Sequence, residues 1–408
     1  ITDPKLAEFG DDFFKGATVW VNAGSRWTSQ TSEVTDHSGD TITFNGLGLT
    51  DVQNTPAKGN PYYLFNVYGA LDSENEWWYD EEEQMLYLYG DPTGKTVQVK
   101  ARDTAINLDN VSYVNIDGIQ VLGAGISGTN TSSITLNRVE ANYAAHASTI
   151  ENPYGTDVAS IKLFGNNNTI SNCEVAYSSA TGVWISGDYN LLFNSKIHDT
   201  DYIGSYGACI NVSGSGNVVS HNTAYNTGRD IIIFQSGDNC KIEYNDFSHS
   251  GMICADLGVF YTVATDGGGT EICYNWVHDN DSSGSRSGIY LDNGTSNWLV
   301  HHNVVWDAGT ALQLNVPSNY IAAYNNTFIG NINQDFAWVF KTDTWGDRII
   351  NNIATGNIAL KDETLARTNF GNIADPGFEN ADEHQYSLLA NSQAIDAAEV
   401  IPGINDDY

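Results

Sequence analysis

The chain has 408 residues, of which 17 are basic and 50 acidic, giving a formal net charge of -33. Simple charge attraction to a polyanion is therefore excluded, and nucleic acid is not an expected partner. Charged residues make up only 16% of the chain against 41% hydrophobic and 12% aromatic, a balance that separates a folded β-rich protein from a disordered acidic one. No apolar run approaches the roughly 18 residues of a membrane span, so no membrane association is expected.

The chain opens at Ile1 rather than methionine, which points to processing. Over the first hundred residues, short β-forming segments at 16–22, 41–44, 62–68, 77–79, 85–89 and 97–100 are broken by glycine-, asparagine- and proline-bearing turns. This pattern predicts a small antiparallel β-rich N-terminal domain over 1–103.

From Thr104 onward the pattern becomes periodic. An asparagine, once an aspartate, followed closely by an apolar residue recurs at Asp117, Asn137, Asn172, Asn194, Asn222, Asn245, Asn275, Asn303, Asn325 and Asn351, at intervals of 20 to 35 residues. Alternating β segments precede these anchors, as at 182–186, 209–213, 288–292 and 311–315. Strands need an apolar side turned inward, and corners need residues that tolerate positive φ. The expected fold is thus all-β, a right-handed parallel β-helix of about ten coils over 104–358. Stacked asparagines are expected to satisfy one another between coils. A propeller needs longer, four-stranded units, and no segment sustains a helical period. After about Ile358 the repeat dissolves into a loop-rich C-terminal cap, 359–408, that covers the open edge of the last coil.

Five cysteines (Cys173, Cys209, Cys240, Cys254, Cys273) fall within the repeat without a CxxC pair or finger-like spacing. They read as small buried hydrophobes, and a cysteine-based zinc site is not expected.

Alternation along the short strands gives two outward columns. One runs Ser186, Ser213, Phe234, Thr262, Asp292, Asn315, Lys341, and the other Trp184, Asn211, Ile232, Phe260, Tyr290, Gln313, Val339. Exposed rings at Trp184, Phe234, Phe260 and Tyr290 would stack on sugar faces, which predicts a carbohydrate groove. The longest of the later coils holds Asp256 before its outward strand and Asp266 after it, and the next strand ends in Asp292. Three carboxylates on one face must share a proton, bind a cation such as calcium, or act on a substrate; Asp266-Gly267 is also an ordinary turn. His198, His249 and His278 follow their anchors by three or four places into the next turn, and His249 leads towards Asp256.

On these residues the sequence resembles the secreted bacterial carbohydrate-active β-helix proteins, notably glycoside hydrolase families 120 and 141. The likeness rests on the repeat from Thr104 to Asn352 and on the stretch from Trp77 to Tyr89 that precedes it. It implies that the strand Gly288-Ile-Tyr-Leu-Asp292 ends in the family 120 nucleophile, Asp292. The family's acid/base glutamate falls at about Asn315, and an amide cannot donate and recover a proton. Hydrolysis by paired aspartates is then the leading expectation, with Asp292 as nucleophile or base, Asp266 as acid, and Asp256 as the charge that raises its partner's pKa. No cofactor is required. A polysaccharide lyase with Arg229 or Lys341 near the base position is the second reading, and a non-catalytic carbohydrate-binding solenoid the third. Asn315, His249, Arg229 and Lys341 complete the expected substrate contacts, and export from a bacterial cell is expected from the fold class and low lysine content.

Overall fold

The computed structural model describes residues 1–150, 154, 158–334, 343–373 and 375–404. The chain divides into two compact units, Ile1–Ala101 with Ala147–Thr156, and Arg102–His146 with Asp157–Tyr408.

In the first unit, the four-stranded antiparallel sheet runs in the order Thr41–Phe44, Ser29–Ser38, Thr18–Asn22, Tyr62–Phe65. Alternation along Thr18–Asn22 turns Val19 and Val21 into a small core with Leu6, Phe14, Val34 and Ile42. Residues 147–156 are counted in this unit, where the Ile150 N–H donates to Thr31 Oγ1 at 2.7 Å.

The second unit is a right-handed parallel β-helix. Each coil sends one strand to each of three parallel sheets, and among the described residues these reach 11, 12 and 11 strands. The regular helix amounts to about seven turns rather than the ten expected. Asn351 falls among the last rungs, whose strands shrink to two residues at Ile353–Ala354, Ile358–Ala359 and Phe370–Gly371.

Between coils, side-chain amides stack as the sequence suggests, but one residue out of phase in places. A buried ladder links Asn222, Asn245, Asn275, Asn303, Asn326, Asn352 and Asn369, each Nδ2 donating to the next Oδ1 at 2.9–3.0 Å. Asn325 and Asn351 sit one place before this ladder, at φ +52° and +61°. Asn172 and Asn194, likewise at positive φ, form a separate exposed stack with Asn137. The corner needs a left-handed residue followed by a buried amide, and adjacent asparagines blur which is which.

Along the first sheet the outward column is Lys162, Trp184, Asn211, Ile233, Tyr261, Tyr290, Gln313, Asn333. Phe234 pairs with Val212, and Phe260 with Ile232 and Ile289, so both point inward. They are 1% and 0% exposed and pack edge-on against Trp298. The expectation that these two rings line a groove is thereby corrected. In 256–262 nearly every residue is buried, because a second, smaller apolar cluster of Ala208, Ile233, Tyr261 and Tyr290, with Tyr206 against it, covers the outer face as well. Alternation therefore carries no signal there.

Candidate active site

The strand Asp256–Thr262 begins with Asp256, and a Cβ at Gly258 would lie 2.2 Å from the Phe260 carbonyl oxygen, so only glycine fits at that approach. The Gly258 N–H donates to Asp230 Oδ1 at 3.1 Å, and Arg229 Nη2 donates to the Asp256 carbonyl at 2.8 Å. Asp256 is thus fixed through its backbone, and the residue as a whole is half-buried.

One coil later Asp292 follows the strand Ser285–Leu291 and faces the same side. Its carboxylate accepts from the Tyr261 hydroxyl at 2.9 Å, from Asn315 Nδ2 at 2.7 Å and from the Asn293 backbone N–H at 2.7 Å. Asn315 Nδ2 also lies 2.6 Å from the Tyr290 hydroxyl, and Gln313 Nε2 donates to Asn315 Oδ1 at 2.7 Å. The charges of both carboxyls reach the Tyr290 hydroxyl.

Burial pushes the Asp256 carboxyl up to about 6, the Asp292 charge adds to the rise, and the Arg229 cation and the Tyr290 hydroxyl hold it down. Burial also raises Tyr290, and the Asp256 and Asp292 charges act in the same direction. The outcome is a carboxyl that keeps its proton near pH 6 beside one held by three donors. Such a pair can give a proton to one atom while presenting charge to another.

Behind the pair, Arg229 is 1% exposed. Its guanidinium pairs with Asp230 and lies 3.9 Å from the Tyr206 ring centroid and 4.8 Å from that of Tyr261. Arg229 therefore braces the site and does not reach for substrate, contrary to the sequence expectation. Burial pushes Asp230 up against the pull of Arg229, and burial likewise raises Asp201, whose Oδ1 accepts from the Ser205 backbone and hydroxyl.

Other expected members lie elsewhere. Asp266 begins a strand of the second sheet, exposed, and accepts from Asn297 Nδ2 at 2.8 Å and the Gly268 N–H at 3.0 Å, bonds that lower its pKa. An ionised turn aspartate is a poor general acid, so that assignment is corrected, and the three-carboxylate cluster behind the calcium reading loses a member. His249, in the third sheet, turns to Asp281 at 2.9 Å rather than towards Asp256. Tyr290 is 4% exposed, so it supplies a hydroxyl and not an open stacking face. Trp184 is half-buried in the outward column, edge-on to Phe164 with Lys162 Nζ 5.4 Å over its ring. It stands three rungs, about 14 Å, from Tyr261. Lys341 lies outside the described residues.

Sequence reasoning missed Tyr261, Asp230, Asp201 and Tyr206. The signal for Tyr261 was present: superposing Phe260-Tyr261-Thr262 on Ile289-Tyr290-Leu291 by their tyrosines gives the observed register. A depression lined by Glu140, Glu174, Lys196 and His221 lies on the corner between the second and third sheets, where Lys196 and Glu174 are paired at 3.2 Å. Its two carboxylates, Glu140 and Glu174, are register partners on adjacent rungs, but bonds from His198 and Lys196 hold Glu174 below the usual carboxylate range, so it keeps no proton to give.

Residues 159–331 match the family described as the right handed beta helix region. Among solved structures, the chain is similar to pectate lyase Pel9A at 14% identity and a TM-score of 0.49, over 76% of this chain and 86% of that one. It is similar to a glycoside hydrolase at 14% identity and 0.47, over 95% and 72%. It is also similar to the Azotobacter vinelandii mannuronan C-5 epimerase AlgE6 A-module at 12% and 0.38, over 62% and 65%. No curated protein sequence matches the chain. At these identities and scores none of the three carries an activity over to this chain. Among the described residues no helix is long and apolar enough to cross a membrane.

Proposed function

We propose that the β-helix unit is a glycoside hydrolase acting on a polysaccharide or oligosaccharide, with Asp256 as general acid and Asp292 as nucleophile or base. The observation that carries this reading is that two carboxyls from adjacent rungs stand close enough for the Asp292 charge to act on the buried Asp256. Burial raises one of them to about 6, while the other accepts from Tyr261, Asn315 and Asn293. Glycosidic cleavage needs one carboxylic acid to protonate the leaving oxygen and one carboxylate to attack the anomeric carbon or activate water.

The resemblance to family 120 supports Asp292 as the nucleophile. Asn315, at the position of that family's glutamate, instead donates to the Asp292 carboxylate, and the proton donor comes from the preceding rung. Action outside the cell belongs to this reading, since the substrate is a polymer or its fragments.

β-Elimination from a uronate needs a base free to take a proton; of the two the sequence offers, Lys341 lies outside the described residues and Arg229 is not such a base. The Arg229 guanidinium is buried and engaged by Asp230, and an arginine is not deprotonated in a protein. A binding-only solenoid gives no reason for a buried carboxyl that keeps its proton near pH 6.

Incubation with a panel of polysaccharides, followed by product masses, tests the proposal. Hydrolysis adds one water per cut. Products lacking that water and absorbing in the ultraviolet as unsaturated uronates would overturn it in favour of the lyase, and affinity without cleavage would favour the binding module.

A further inference from the structure

On the outer face of the second sheet, Glu271, Cys273 and His301 converge from two neighbouring rungs. Cys273 and His301 are register partners, and Glu271 stands two residues before Cys273 on the same side of its strand. One donor atom from each, a carboxylate oxygen, Sγ and an imidazole nitrogen, lies within 4.8 Å of the others. The Glu271 Oε2 to His301 Nε2 distance is 3.5 Å. Cys273 is 1% and His301 5% exposed, and Cys273 is in no disulfide.

We infer that Glu271, Cys273 and His301 form a binding site for one zinc ion. The donor set favours that ion, because thiolate and imidazole are soft to borderline ligands that calcium and magnesium do not select. Zinc holds nitrogen and carboxylate oxygen at roughly 2.0–2.2 Å and thiolate sulfur at about 2.3 Å, so tetrahedral donors stand roughly 3.3–3.8 Å apart. The side chains need only small rotations to close to that spacing, and water takes the fourth position.

The other ring nitrogen of His301 lies 2.9 Å from His302 Nδ1. With that nitrogen protonated and donating, Nε2 keeps its lone pair for the metal, the arrangement by which zinc-bound histidines are usually oriented. Lys241 Nζ competes for Glu271 at 3.5 Å, and its side chain, 49% exposed, has solvent to move into. Binding releases the thiol proton, and the thiolate and carboxylate together balance the two charges of the ion. The site clips consecutive rungs of the second sheet together and lies on a different sheet from the aspartate pair. Motif spacing cannot reveal it, since stacking brings together residues 28 positions apart, Cys273 and His301.

The full chain, stripped with a chelator, given one equivalent of zinc and desalted, is expected to retain close to one zinc and to melt a few degrees higher than the stripped protein. Cys273→Ser and His301→Ala are each expected to weaken binding at least tenfold. Lys241→Ala, which removes the competitor, is expected to tighten it severalfold. With cobalt in place of zinc, a thiolate-to-metal charge-transfer band is expected in the near ultraviolet. That band should be lost in Cys273→Ser and kept in Cys173→Ser. Loss of zinc from the unaltered chain on desalting, or a cobalt complex without the thiolate band, would overturn the inference without reference to any variant's folding.

Discussion

Replacing Arg229 by methionine tests whether the brace behind the aspartates is a true buried ion pair. Methionine keeps most of the length of the side chain and removes the charge. Asp230, 0% exposed, then keeps its Gly258 N–H donor but loses the guanidinium that balances it. Breaking one side of such a pair costs about 3–5 kcal/mol, because the remaining charge is buried without compensation. The stacking on Tyr206 and Tyr261 adds on the order of 0.5–2 kcal/mol for each ring. The assay is chemical denaturation of Arg229→Met, Asp230→Leu and the double variant. The single arginine variant should lose about 4–9 kcal/mol, the stranded charge and the two ring contacts together, and the double variant should recover about 3–5 kcal/mol of that, since an apolar pair leaves no stranded charge but no longer stacks on the rings. A loss below about 1 kcal/mol in Arg229→Met, or a double variant no more stable than it, would refute the reasoning.

Three further outcomes follow from the same structure. Asp256 is raised from its ordinary 3.8 to about 6, so its contribution to stability is fully present below pH 3.8 and is lost as pH rises through 6. Asp256→Asn should therefore gain up to about 2–3 kcal/mol on the unaltered chain between pH 4 and pH 8 in denaturation curves, and hydrolysis by the unaltered chain should fall about tenfold per unit above pH 6. Asn275→Ala removes donors to Ile242 and Asn303 and the acceptor of Asn245, all buried, and should cost at least about 3 kcal/mol. Asn172→Ala, in the exposed stack, should cost under about 1 kcal/mol by the same assay. Phe234→Ala should lose about 3–5 kcal/mol by opening a cavity against Trp298 while leaving KM unchanged; a raised KM at full stability would return that ring to the groove.

The solenoid was legible because its physics repeats: inward apolar residues and left-handed corners recur at every rung, so several coils state the same rule. Register was less legible wherever the rule is locally silent. At Gly258-Val-Phe-Tyr-Thr262 both faces are buried, and alternation gives no phase. At Asn325-Asn326 and Asn351-Asn352, two candidates for one amide position stand side by side. Asp292 and Asp256 could be read from the sequence as acidic groups on adjacent coils. The assignment of roles between Asp256 and Asp266 could not, because it depends on burial and on the donors Asn297 and Gly268, which sequence order does not rank. Arg229 was expected as a substrate contact or base because the aromatic rings that enclose it come from a corner, Tyr206, and from the following coil, Tyr261.

Turnover by Asp256→Asn, Asp292→Asn and Asp266→Asn on whichever polysaccharide the unaltered chain cleaves tests the account most directly. The first two should fall by at least about a thousandfold at pH 5, the scale set by losing a proton donor or a nucleophile, and Asp266→Asn should stay within about twofold. Full activity in Asp292→Asn, or a collapse in Asp266→Asn with the other two unaffected, would contradict the assignment of chemistry to Asp256 and Asp292.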